Sequence, residues 1–259
     1  MYGTFRHHPW VDVEDPREDT YSLFNKYAEA LNWSDSAVHP DRGGARLSSP
    51  TRTAGIWGMN EAGGNWSDDV SRTADHVLWV QTSLSQSDEQ AEIPIAQLGL
   101  CAEKALQRVG ALSLAGVQMM MPLGFAPVRQ PHTWGALAIS DPTARADVRI
   151  EVDGGEDDTC VRQAADIIKE LNSSCEIDGM AFSAPVVQHL SEYLLDEPAE
   201  MSRRIWIGDS EDRFETRVTV PEFSLDVSSY LTTQIARSCQ LAGVSNPVLI
   251  TLRRADNLM

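Results

Sequence analysis

The strongest constraint on the fold is a hydrophobic period that switches between two and about 3.6 residues along residues 141–259. Val148, Ile150 and Val152 are separated by single polar residues, the mark of a strand with one buried face, and Asp153-Gly154-Gly155 ends it. Val161, Ala164, Ala165, Ile168 and Leu171 then fall on one helical face, with Asp157 or Asp158 placed to accept from the first free helical N–H groups. A strand is expected at 177–182. Pro185 opens a short amphipathic helix through Val187, Leu190 and Leu194, a helical insertion at 186–197. Ile205-Trp206-Ile207 reads as a short strand, joined across Gly208-Asp209 to a longer one carrying Phe214, Thr216, Val218 and Val220. A helix from about Ser224 carries Val227, Leu231, Ile235 and Cys239 and stops at Gly243, and 248–252 closes the sheet.

Residues 1–140 repeat this β-α-β-β-α-β order less cleanly. A helix from about Thr20 presents Phe24, Tyr27, Ala28 and Leu31 on one side. Ile56-Trp57 and residues 77–80 read as strands, 95–109 as a helix ended by Gly110, and 112–121 as a buried strand ended by Pro122. Three local matches fall in the same order in both halves. Leu31-Asn32-Trp33-Ser34 echoes Leu171-Asn172-Ser173-Ser174, Leu78-Trp79-Val80 echoes Ile205-Trp206-Ile207, and Leu98, Gln107 and Gly110 echo Leu231, Gln240 and Gly243. The chain therefore resembles two tandem ferredoxin-like halves, 1–140 and 141–259, an α+β fold with antiparallel sheets and an internal duplication. The resemblance is one of topology and carries no functional motif, so it implies no site.

Net charge is −17: 16 acidic against 10 basic residues up to position 140, and 22 against 11 beyond it. Such a field repels phosphate backbones and anionic bilayer surfaces, so neither nucleic acid nor membrane is an expected partner. No apolar run approaches the ~20 residues of a membrane span. The first ten residues carry Arg6, His7 and His8 and no apolar leader, which points to a cytoplasmic protein. Cys101, Cys160, Cys175 and Cys239 form no C-x-x-C pair and read as core residues.

No G-x-S-x-G, H-E-x-x-H, G-x-x-x-x-G-K or G-x-G-x-x-G occurs, so no metal and no cofactor is expected. The candidates for function are aromatic. Residues 34–72 form a long Gly/Trp-rich insertion that the second half lacks, with Trp57 and Trp66 as anchors. His76 precedes the strand that carries Trp79 and is the one candidate general base; Asp75, its neighbour on a strand, would point to the other face. His132 and Trp134 face the same way if extended, and Trp206 is the counterpart of Trp79. Two functions follow. One is a small-molecule pocket in a cleft between the halves, in an enzyme without cofactor or a sensor, with Trp57, Trp66, Trp79, His132, Trp134, Trp206 and His76 as candidate site residues. The other is a homo-oligomeric assembly or interaction protein whose N-terminal segment and 34–72 loop dock onto neighbouring subunits.

Overall fold

The computed structural model describes residues 1–12, 19–34, 56–64, 75–84, 92–128, 141, 143–175, 179–189, 195, 208 and 212–255. Among the described residues it is an α+β fold of five helices and mostly antiparallel strands. In chain order the elements are β1 (Tyr2–His7), α1 (Thr20–Ala30), β2 (Trp57–Gly63), β3 (Asp75–His76), β4 (Trp79–Leu84), α2 (Ile95–Val109), β5 (Gly110–Met121), β6 (Ala146–Asp153), α3 (Thr159–Arg162), α4 (Ala164–Cys175), β7 (Val186–His189), β8 (Asp212–Val220), α5 (Leu225–Leu241) and β9 (Val248–Arg254). Seven strands form one sheet in the order β3-β1-β5-β9-β6-β8-β7, while β2 and β4 form a separate ribbon.

The alternation in the second half does what its pattern requires. Val148, Ile150 and Val152 of β6 are fully buried together with Phe214, Val218 and Val220 of β8 and Val248, Ile250 and Leu252 of β9. They meet Ile167, Ile168 and Leu171 of α4 and Val227, Leu231 and Ile235 of α5 in one core. Each such side chain contributes roughly 1.5–3 kcal/mol of burial. Ser224 caps α5 by accepting from the Val227 N–H at 3.3 Å, and Gly243, at φ 86°, takes the left-handed turn that ends it. Asp157 accepts from the Thr159 N–H at 2.7 Å at the start of α3. A second cluster joins Phe5, Phe24, Ala28 and Trp57 to Ala102, Ala105, Leu106 and Val109 of α2. Helices α1, α2, α5 and α4 pack side by side in that order.

Asn32, at φ 56°, is the one non-glycine residue with positive φ among the described residues. It ends α1 as glycine would, and Trp33 N–H returns to the Ala28 carbonyl at 2.8 Å.

Two expectations change. The helical insertion at 186–197 does not begin as a helix: Val186–His189 is strand β7, paired antiparallel with β8 from Glu215 to Asp212. Two β-branched valines after Pro185 suit an extended edge, and β8 supplies the backbone partner that the helical spacing of Val187, Leu190 and Leu194 could not reveal. Residues 190–194 and 196–197 lie outside the described residues, as do 205–207. Strand β1, for which the pattern gave no sign, lies between β3 and β5. A bulge between Tyr2 and Gly3 breaks its alternation.

The halves meet through β5 and β9, where Gly116 pairs with Arg253 and Met121 with Val248. Ile250, paired with Met119 at this seam, is fully buried. Ile250→Ala should cost about 2–5 kcal/mol, measured by urea unfolding. Because one sheet crosses the seam, far-UV circular dichroism and tryptophan fluorescence should lose stability together in a single transition.

Candidate functional site

Tyr2 of β1 stands opposite both His76 of β3 and Gly116 of β5. On the Met1 side of that point the elements separate, and β4 leaves to pair with β2. A cavity of about 260 Å³ opens there. Its walls are residues 78–82 of the β3–β4 stretch, residues 117–121 of β5, and Ile95, Leu98 and Ala102 of α2. Leu225 of α5, Pro247 and Leu249 of β9 complete it from the second half, so both halves contribute. The cavity lies between the two cores, touching Ile95 and Met121 of one and Leu78 and Ala102 of the other.

The lining is apolar and adaptable. Met1, Met119, Met120 and Met121 all face it, and unbranched thioether side chains refit to irregular occupants. Among the described residues no Asp, Glu, Lys or Arg lines it. Met1 is anchored at the floor, its amino group donating to the Leu78 carbonyl at 2.8 Å, and burial lowers that amine from 8.0 to about 5. Polar handles gather at one end. The Tyr2 hydroxyl donates to Gln118 Oε1 at 2.8 Å, Gln118 Nε2 donates to Thr251 Oγ1 at 3.3 Å, and the His76 ring lies 5.2 Å from that of Tyr2.

Of the site residues expected from sequence, the structure brings His76 and Trp79 together in this lining. Trp79 sits opposite Gly63 of β2, and a Cβ at position 63 would stand 2.7 Å from Trp79 Nε1; only glycine admits the indole there. Trp57 does not line the cavity. It is fully buried in the first-half core with its ring 6.0 Å from that of Trp33. Trp66, His132, Trp134 and Trp206 lie outside the described residues. Sequence reasoning missed the contribution of α2 and β5, although the run Met119-Met120-Met121 is a signal: a strand apolar at consecutive positions is not solvated on either face.

No family model, curated protein or solved structure matches the chain.

Elsewhere the chemistry is structural. The sheet face of β6 and β8 turned away from the core carries an ionic ladder. Arg149 is bidentate on Glu215 at 3.1 and 2.6 Å, Arg217 reaches Glu215 at 3.3 Å, and Arg213 pairs with Glu151 at 3.0 Å. Burial pushes the Glu215 carboxyl up, but hydrogen bonds and charge from Arg149 and Arg217 outweigh it and hold the group below its ordinary 4.5. All four cysteines are buried and none is in a disulfide. Burial raises Cys101 to about 11 and Cys160 to about 12, and drives Cys239 further up. Among the described residues no three His, Cys, Asp or Glu side chains gather as a metal site, and no helix is long and apolar enough to cross a membrane.

Two outcomes follow. The folded chain should leave Ellman's reagent nearly unreacted at pH 8, with all four thiols appearing only in denaturant; rapid labelling of the native protein would contradict the buried placement. A carboxyl with a depressed folded pKa stabilises above its unfolded pKa and loses that contribution as pH falls through the folded value. Urea midpoints should therefore drop below about pH 4.5, and Glu215→Gln should flatten part of that fall.

Proposed function

We propose that the protein binds a small, uncharged, largely apolar molecule in the cavity where its two halves meet. The observation that carries this reading is the lining itself. Among the described residues of a chain of net charge −17, no carboxylate, lysine or arginine lines a cavity of about 260 Å³, and an apolar cavity of ~150 Å³ already suffices to hold benzene. Among the polar groups of the lining, Tyr2, Gln118 and His76 stand together, with Gln81 and Thr82 on β4, as in sites where apolar walls supply affinity and a few polar groups fix orientation.

The element orders support a reading of the fold as two ferredoxin-like units joined edge to edge. The second half is β6, α3 with α4, β7, β8, α5, β9, with sheet order β9-β6-β8-β7. In the first half β5, β1, the interrupted β3–β4 strand and β2 stand in the corresponding places. The cavity is then a product of duplication, formed where one unit's interrupted strand leaves the shared sheet. In this reading the protein is a sensor or carrier, and His76 supplies an imidazole to the lining.

The neutral fluorophore N-phenyl-1-naphthylamine tests the reading. One equivalent should bind with enhanced emission and quench Trp79, and a ligand at 100 times its Kd should raise stability by ~2.7 kcal/mol. Leu98→Trp should fill the cavity and weaken binding at least tenfold while the protein still melts cooperatively. No binding by the native chain, or equal binding by the filled variant, would overturn the assignment.

A further inference from the structure

We propose that the ligand class suited to this cavity is a short, uncharged, apolar peptide, or a linear molecule carrying amides at peptide spacing, lying as an added strand between β4 and β5. This rests on the reading of the cavity as a binding site and names what occupies it.

The first observation is which residues form the walls. Successive side chains of a strand point to opposite faces, so a pocket on one face of a sheet touches every second residue. This cavity touches consecutive residues on both sides: Val117, Gln118, Met119, Met120 and Met121 on one strand, and Leu78, Trp79, Val80, Gln81 and Thr82 on the other. That pattern arises when a cavity lies against strand edges, with backbone as well as side chains in its walls.

The second observation is pairing. β1 covers β5 only from Gly110 to Gly116, and it covers the β3–β4 stretch only at Asp75 and His76. Met1 adds its carbonyl to the Val77 N–H at 2.9 Å. Beyond it, among the described residues, no strand pairs with 117–121 on the side away from β9, and none pairs with β4 on the side away from β2. An extended edge with free N–H and C=O groups is a template for strand addition.

The third observation is width and direction. At Tyr2 one strand separates β3 from β5, which sets two strand spacings, about 9.6 Å, at the mouth of the cavity. β1 is antiparallel to both neighbours. A peptide continuing its line would be antiparallel to both β5 and β4, hydrogen-bonding along 117–121 on one side and, near the mouth, to the β3–β4 stretch on the other. Five residues of β5 edge span ~17 Å, and a cavity of about 260 Å³ takes in only the central part of a peptide of that length, its ends lying outside. Its alternate side chains would enter the space under Ile95 and Leu98 of α2 and the space beside Met120 and Leu249. Among the described residues no charged side chain lines either space, which disfavours charged peptides.

The test uses the whole chain and three probes: acetyl-Val-Leu-Val-Leu-amide, the same peptide N-methylated at its two central residues, and N-phenyl-1-naphthylamine. Adjacent N–H groups of a strand point to opposite edges, so methylating two central nitrogens blocks bonds on both sides. Calorimetry should show the unmethylated peptide binding one-to-one and displacing the naphthylamine, with N-methylation weakening it at least tenfold. Equal binding of the methylated peptide, or binding of the naphthylamine without the peptide, would overturn the strand assignment and leave the apolar site standing. Binding of neither would overturn both.

Discussion

The antiparallel pairing of β5 with β9 is the interaction on which the rest depends. Six consecutive register pairs, from Gly116 with Arg253 to Met121 with Val248, tie residues over a hundred positions apart into one sheet. Without it the two cores would be separate small bodies. With it, α2 and α5 are brought side by side above the seam, and Leu225, Pro247 and Leu249 of the second half reach the cavity of the first. Loop closure over such a distance costs entropy that only an extensive ladder and core can offset.

The cavity follows from a mismatch of strand lengths along that seam. β5 has twelve residues and β1 has six, so β5 outruns its neighbour while β9 still covers its other side. The interrupted strand β3–β4 follows β1 only as far as His76, then turns to β2. An exposed apolar strand edge invites indiscriminate pairing, and proteins blunt such edges with charge, bulges or a covering element. Here α2 covers the space, methionines line it and, among the described residues, no charged side chain protects it. An enclosed, uncharged edge suits reception of a chosen extended ligand better than exclusion of all ligands.

Much of the fold was legible because local pattern and tertiary environment agree. β6, β8 and β9 alternate since one face meets α4 and α5, and Gly243 ends α5 where a left-handed residue is needed. Where they disagree, pattern misleads. Val187, Leu190 and Leu194 fall at helical spacing, yet Val186–His189 extends because β8 offers a backbone partner. β1 is invisible in the pattern because the bulge at Tyr2 and Gly3 disrupts the period of two. The candidate site was half legible. His76 and Trp79 stand out as a histidine and a tryptophan near a strand start, but Trp57, equally conspicuous, is core. Leu98, Ala102 and residues 117–121 look like ordinary interior. Their part in the cavity comes from the unequal lengths of non-local strands, which no local window contains.

Backbone amide hydrogen exchange along β5 tests the central claim most directly. Within 110–115 it is β1 that pairs with β5 and within 117–121 it is β9, the two edges being joined only at Gly116, so in 110–115 the amides facing β1 should be protected. Within 117–121 alternate amides face away from β9, and these should exchange at least a hundredfold faster in the free protein, with the intervening amides still protected. Uniform protection from 117 through 121 in the free chain would show that the edge is already satisfied and would contradict the account.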